Sequence, residues 1–327
     1  MMEVLSTPGL ATVQDFGRFG SLRFGVGTAG AMDHLALAAG NLLLGNEDGA
    51  AAIEVPLFPF KARFDADNSF ALTGGGCGAR LGGRALLPWF VHAARAGEEL
   101  LLSPAPGVPG SRAYLALPGG VDVPEVLGSR STQLRGVFGG QCGRALQAGD
   151  KLAARGASPG LAGYGLEPPG VALPLLADGT PGVRVIPAAE YERFTEASRA
   201  AFWAGEWKIT AQSDRYGYRL AGAALAFEAP VEMLSHGIVP GVIQVPPNGQ
   251  PIIQMRDAQP SGGYPKFGTV IEADLWRLAQ APAGSRIRFV ETDWNGALAA
   301  AEALRGWLEE AGRLCDLIRC SALGRRP

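Results

Sequence analysis

The apolar runs in this chain are short, and that limits the fold more than any other feature. "FALTGGG" (70–76), "EELLLS" (98–103) and "AYLALPGGVDV" (113–123) each end at Gly, Pro or a charge before a helix could build up. Such runs suit strands. With 47 glycines and 24 prolines in 327 residues, turns are frequent enough to connect many of them. Residues 1–155 therefore read as mostly strand. The length exceeds the ~150 residues of a typical single core, so two domains are expected.

A few helices interrupt this pattern. Over 33–44, Asp33 is placed to cap a helix, Leu35, Ala39 and Leu42 fall on one face, and Gly45-Asn46 can end it. A Gly/Pro-rich stretch, 156–181, reads as a linker in which Tyr164, Leu173 and Leu175 can pack on a neighbour. A strand "VRVIP" (183–187) follows. Tyr191, Phe194, Ala197 and Ala201 then predict a helix over 190–204. Further on come a hairpin "GVIQVPPNGQPIIQM" (241–255), a short helix at 273–279 and a strand "RIRFVE" (286–291). A last amphipathic helix at 294–311 carries Leu298, Ala301, Leu304 and Leu308 in register, before a tail expected to fray. The expected domains are residues 1–155, the linker 156–181, a second β module at 182–293, and a C-terminal helix and tail at 294–327. A faint internal echo supports two related modules. "QDFGRFG" (14–20) resembles "SDRYGYR" (213–219), and "LQAGDKL" (146–152) and "APAGSRIRF" (281–289) each follow a Gly turn with a strand signal.

Charge and cysteine content remove several function classes. The net charge is −2, the pI is about 6.0, and no Lys/Arg block stands out, so nucleic acid is not an expected partner. No apolar stretch reaches the ~18 residues of a membrane span. The start, "MMEVLSTPGL", has neither the basic nor the apolar region of a signal peptide. Cys77, Cys142, Cys315 and Cys320 form no CxxC pair and have no His at zinc spacing. Reduced thiols in the cytoplasm, with no metal site, are the expectation.

The densest polar chemistry follows the hairpin, in "RDAQPSGGYPKFG" (256–268). The hairpin strand delivers Asp257 and Gln259 near its end. Gly262-Gly263 can adopt positive φ and form an anion-binding nest, flanked by Ser261 and Tyr264, and Lys266 adds a positive charge. Asp257 is a candidate general base, or holds another group in place. His236, in "LSHGIVPG", is a candidate acid or base, and His34, in the first turn of its helix, a weaker one. In "SDRYGYR", Asp214, Arg215 and Arg219 suit a carboxylate in fork geometry. In "LGSRSTQLRGVFGG" (127–140), Ser129 and Arg130, with Ser131, Thr132 and Arg135, suit an oxyanion. Against each stands a plain alternative: a solvated turn, a surface ion pair, a polar loop. There is no phosphate-binding G-x-x-x-x-G-K-[ST] loop and no G-x-G-x-x-G junction; "GGGCGARLGG" (74–83) reads as turns. No biotinyl-lysine motif is present.

Several segments, in order, carry a family resemblance: "TVQDFGRFG", "GAMDHLALAAGNLLLGN", "LGSRSTQLRG", "QSDRYGYRL", "HGIVPGVIQVPPNGQPIIQMRDAQPSGGYPK" and "IEADLWRLAQ". The chain resembles the allophanate hydrolase subunit 2-like proteins. This family is also called the biotin-dependent carboxyltransferases, the KipA proteins, or the C components of 5-oxoprolinase. The resemblance spans roughly residues 4–290. It implies a mainly β fold with a few helices, built as two cyclophilin-like β-barrel modules. It implies a KipI-like protein, the B component, as partner. With a further A component, it also implies the ATP-dependent opening of the lactam of 5-oxoproline to L-glutamate, with an ATP site that the partner can share. Under this reading Asp257, Gln259, Lys266 and His236 carry the chemistry. Ser129, Arg130, Asp214, Arg215, Ser261, Gly262, Gly263 and Tyr264 hold a small anionic substrate. Two alternatives remain: carboxyl transfer from carboxybiotin to a urea-like substrate, and a non-enzymatic regulatory role through the KipI-like partner.

Overall fold

The computed structural model describes residues 1–158, 160–169, 176 and 181–322. The chain divides into two compact units. The first comprises Met1–Arg18, Ala29–Val171 and Arg305–Pro327; the second comprises Phe19–Thr28 and Ala172–Leu304. The protein is mainly β, as the short apolar runs require. Leu173 and Leu175 of the expected linker lie outside the described residues, as does the tail from 323. Tyr164 is described, and its hydroxyl donates to the Leu43 carbonyl at 2.5 Å.

The first unit carries two sheets. One has six strands in the order Lys151–Leu152, Met2–Ser6, Phe60–Phe64, Glu99–Pro104, Cys77–Leu81 and Arg84–Leu86. The other has five, in the order Thr12–Gln14, Ala52–Val55, Ala113–Ala116, Asn68–Gly74 and Phe90–Ala94. Alternation builds the core between them: Phe60, Ala62 and Phe64 point inward, Lys61 and Arg63 do not. Phe64 stacks on Phe70 across the core, ring centroids 5.0 Å apart. The segment 74–83, expected as turns, contains the strand Cys77–Leu81, because Ala79 and Leu81 alternate inward between two glycine turns.

The first helix, α1 (His34–Leu44), forms where its caps predict. Asp33 Oδ1 accepts the Ala36 N–H at 2.8 Å, and Gly45 ends the helix at φ +70°. His34 meets the Phe16 ring edge-on at 5.2 Å.

The second unit is a closed seven-stranded barrel. Its strands run Gly182–Pro187, Lys266–Val270, Val242–Gln244, Ile252–Gln254, Gly217–Ala221, Trp207–Ile209 and Arg286–Glu291, the last pairing in parallel with the first. An aromatic cluster packs it: Phe202 stacks on Phe267 at 3.8 Å and on Phe289 at 4.4 Å. The helix expected over 190–204 starts later, as α2 (Glu196–Ala204). Thr195 caps it by accepting the Ser198 N–H, and this cap overrides the apolar period upstream, where Tyr191–Arg193 make a single 3-10 turn. The third helix, α3, spans Glu272–Gln280.

The last helix, α4 (Trp294–Ala322), runs well past the expected end at 311. From Arg305 it belongs to the first unit. Its interior Gly312 is tolerated because the Leu42 side chain of α1 lies against it. Further along, buried Cys315 anchors the helix and Arg319 donates to the carbonyls of Leu42 and Leu43. Tertiary contact, not local pattern, sets this helix's length. Among the described residues no helix is long and apolar enough to cross a membrane, and all four thiols are free.

Candidate functional site

The hairpin of the second unit turns as its residues dictate. In Pro246-Pro247-Asn248-Gly249 the Gly249 N–H bonds the Pro246 carbonyl at 2.9 Å, with Gly249 at φ +73°. Ile243 pairs with Ile253 and Gln244 with Ile252. On its other side the strand Val242–Gln244 meets Lys266–Val270, and the register slips by one: Ile243 opposes Gly268, whereas Gln244 opposes Lys266. Directly opposed residues share a face. Plain alternation would place Lys266 with Gly268 and Ile243. The bulge puts it with Gln244 instead.

Lys266 is thereby buried, 8% exposed, and its Nζ meets no hydrogen-bond partner among the described residues. Burial pushes its amine below the ordinary 10.5, and the nearby carboxylate of Glu190 pulls the other way. Glu190 Oε2 is itself buried without a hydrogen-bond partner among the described residues. Its Oε1 lies 3.9 Å from His236 Nε2. The other ring nitrogen of His236, Nδ1, is 3.1 Å from the Leu234 carbonyl. His236 reaches this position through a two-residue ladder, His236–Gly237 against Ser261–Gly262. The result is a cluster of one lysine, one carboxylate and one imidazole beside the Gly-Gly segment. A cleft of about 790 Å³ is lined by near neighbours in the chain, Leu234, Gly263, Tyr264 and Pro265, with Val231 and Met233 among others; Lys266, Glu190 and His236 are not among its lining residues.

Of the residues expected at a site, the structure brings Lys266, His236 and Gly262 together, with Gly263 and Tyr264 on the cleft and Ser261 exposed beside them. It places the others elsewhere. Gly262 and Gly263 do not take positive φ, so the expected nest is not formed; Gly262 is in the extended ladder with His236. Its lack of a side chain serves close approach: a Cβ would come within 2.5 Å of Gln244 Nε2. Asp257 is 1% exposed and its carboxylate is held by the Arg215 fork, two bonds of 2.9 Å. The fork expected to take a substrate carboxylate thus takes an internal one. Arg219 faces outward, and Gln259 is exposed. Asp214 is an exposed turn former, accepting the N–H groups of Tyr216 and Gly217.

Ser129 and Arg130 belong to the first unit, and there too the oxyanion is internal. Asp15 Oδ1 accepts from Ser129 Oγ at 2.7 Å and Ser131 Oγ at 2.5 Å, and Oδ2 accepts the Arg130 N–H at 2.5 Å. The echo between the modules has a shared geometry: Asp15 caps the N–H two residues on, Gly17, as Asp214 caps Tyr216.

Sequence reasoning misses Glu190, Gln244 and Gln254. Glu190 falls within the expected helix over 190–204. The two glutamines do carry a signal: each is the one polar residue in its arm of an otherwise apolar hairpin, "VIQV" and "IIQM".

This cluster offers one buried cation to a ligand oxygen. The phosphates of ATP need several donors, such as a nest of N–H groups or clustered cations; the described residues of the cluster do not supply them. Three or more grouped metal-ligating side chains do not occur among the described residues.

The family profile described as "carboxyltransferase domain, subdomain A and B" matches residues 24–291. The chain belongs to this carboxyltransferase family. An Escherichia coli (strain K12) protein, named as the C component of 5-oxoprolinase, is 42% identical over 311 residues, 95% of this chain and 97% of that one. A Haemophilus influenzae protein of the same name is 41% identical over 316 residues, 97% and 99% of the two chains. Among solved structures, the Kluyveromyces lactis urea carboxylase superposes with a TM-score of 0.84 at 29% identity, over 95% of this chain and 29% of that one. Carboxyltransferase relatives thus occur both as chains of this length and as part of much larger ones.

Proposed function

We propose that this chain is the C component of an ATP-dependent 5-oxoprolinase complex. The reading follows from two-way, nearly full-length identity of 41–42% to proteins of that name. The observation that carries the site is Lys266, a buried amine with no hydrogen-bond partner among the described residues, near the half-buried Glu190 carboxylate. In this reading the chain acts in the cytoplasm with a KipI-like B component and an A component, and ATP is held by these partners.

Opening the lactam adds water across the ring C–N bond. The carbonyl carbon gains an oxygen, the ring nitrogen leaves as an amine and takes a proton, and L-glutamate results. Negative charge gathers on the lactam oxygen as water adds. Lys266 Nζ, itself buried, neutralises it there. His236 hands a proton to the departing nitrogen, and the Glu190 carboxylate favours the ammonium form of Lys266.

A second reading is carboxyl transfer from biotin, favoured by the TM-score of 0.84 to urea carboxylase. There Lys266 would face the carbonyl oxygen of a urea-like acceptor. Glutamate release from 5-oxoproline and ATP separates the two. It is measured with this chain and its two partner components, each omitted in turn. Turnover that stops when this chain is left out supports the oxoprolinase. A complete, folded mixture without turnover overturns it.

A further inference from the structure

Two glutamines of the hairpin are hydrogen-bonded to each other, and the strand beside them places Lys266 opposite one of the pair. Gln254 Nε2 donates to Gln244 Oε1 at 3.0 Å. Gln244 is 2% exposed, so water does not compete for its amide, and the bond from Gln254 decides which end faces which way. With Oε1 committed to Gln254, the NH2 end points the other way, toward Gly262 and Tyr264. One N–H reaches the Tyr264 carbonyl at 3.4 Å, the long limit of a hydrogen bond. An amide NH2 carries two donors, so another N–H remains to be used. Gln244 stands directly opposite Lys266 in the ladder, because of the bulge.

We infer that Gln244 Nε2 and Lys266 Nζ together form a two-donor seat for one carbonyl oxygen of the substrate, and that Gln254 is the positioning residue that keeps the Gln244 donor facing it. The inference rests on the proposed lactam chemistry only for the identity of that oxygen. The seat stabilises charge that develops during reaction, so it acts on kcat more than on KM. Gly262 is part of the same device. A side chain there would strike Gln244 Nε2 and displace the donor.

The decisive comparison is Gln244→Glu, Gln254→Glu and Gln254→Leu in the reconstituted complex, with thermal unfolding of each chain as the control for folding. Gln244→Glu keeps the shape and removes the donor; kcat should fall by about 100-fold with KM changed less than about threefold. Gln254→Glu can only accept, so it makes the Gln244 amide turn its NH2 toward residue 254 and its oxygen toward the seat. Its kcat should fall nearly as far. Gln254→Leu leaves the amide undirected, so its loss should be smaller than that of Gln254→Glu. A purely structural role predicts losses that follow the unfolding temperatures instead, and that result overturns the inference, as does a Gln244→Glu enzyme with kcat within twofold of wild type. If the wild-type complex itself gives no glutamate, the oxoprolinase reading fails and the seat is judged separately. The Gln244 side-chain amide signal, assigned by its loss in Gln244→Glu, is then followed by nitrogen-15 NMR with 5-oxoproline and with urea. A shift with either supports the seat; no shift with both overturns it.

Discussion

Arg215 and Asp257 meet as a planar fork, Nε to Oδ2 and Nη2 to Oδ1, each at 2.9 Å, with their side chains 9% and 0% exposed. Removing one member leaves the other charged and buried. Asp257→Ala should therefore lower unfolding free energy by about 3–5 kcal/mol, read from denaturant midpoints. The double replacement Arg215→Met with Asp257→Leu should recover most of that loss, since a well-packed apolar pair can stand in for a buried ion pair. A fully stable Asp257→Asn chain whose complex is inactive would restore Asp257 as a direct participant in the chemistry.

Lys266 presents the reverse case, a residue that costs stability. Its amine lies below 10.5 in the folded chain because of burial. Between the folded value and 10.5 the unfolded chain binds more protons, so stability rises with pH across that window. Lys266→Met should be more stable than wild type at neutral pH, by roughly 1–3 kcal/mol, the range for a buried polar group without a partner. The gap should narrow as pH climbs toward 10.5, and activity should be lost. Urea unfolding at a series of pH values tests this. A Lys266→Met chain less stable than wild type at neutral pH would show that the amine has a structural partner.

The Asp15 cluster makes a prediction for the first unit. Its carboxylate gathers two hydroxyls and two backbone N–H groups. Asp15→Ala orphans them and should cost about 3 kcal/mol or more, at 1–3 kcal/mol for each buried group left unpaired. Ser129→Ala should cost only about 1 kcal/mol. Arg130 contributes its backbone N–H to Asp15, while its guanidinium lies 3.3 Å from Glu125. Arg130→Ala should thus leave KM unchanged in the reconstituted assay; a KM raised tenfold would return Arg130 to the substrate.

What was legible in the sequence follows from the range of the forces involved. The α1 caps at Asp33 and Gly45, the Pro247-Asn248-Gly249 turn and the strand alternation of Arg286–Glu291 are local, and each formed where its residues call for it. The crowding of polar residues before Lys266 was also visible. What Asp257 and Ser129 bind was not, because their partners, Arg215 and Asp15, lie 42 and 114 residues away. An oxyanion-binding set looks the same in sequence whether the oxyanion belongs to a ligand or to the protein. The face on which Lys266 sits depends on a one-residue bulge, which no period-two pattern contains.

Glu190 gives the last prediction its sign. Its carboxylate raises the Lys266 pKa against the lowering by burial. In the proposed mechanism Lys266 works as an ammonium, so activity is present below its pKa and lost as pH rises through it. Glu190→Gln removes the opposing charge and lets burial act alone, which lowers the Lys266 pKa further. The alkaline limb of kcat/KM should therefore move to lower pH in Glu190→Gln, while Glu190→Asp, which keeps the charge, should leave it closer to wild type. The pH profile of the reconstituted complex measures this, compared in a His236→Gln background, where the other proton donor no longer contributes to the limb. An alkaline limb that moves to higher pH, or does not move, would mean that another group sets it; an acidic limb that moves to lower pH instead would mean that the amine is used in its neutral form.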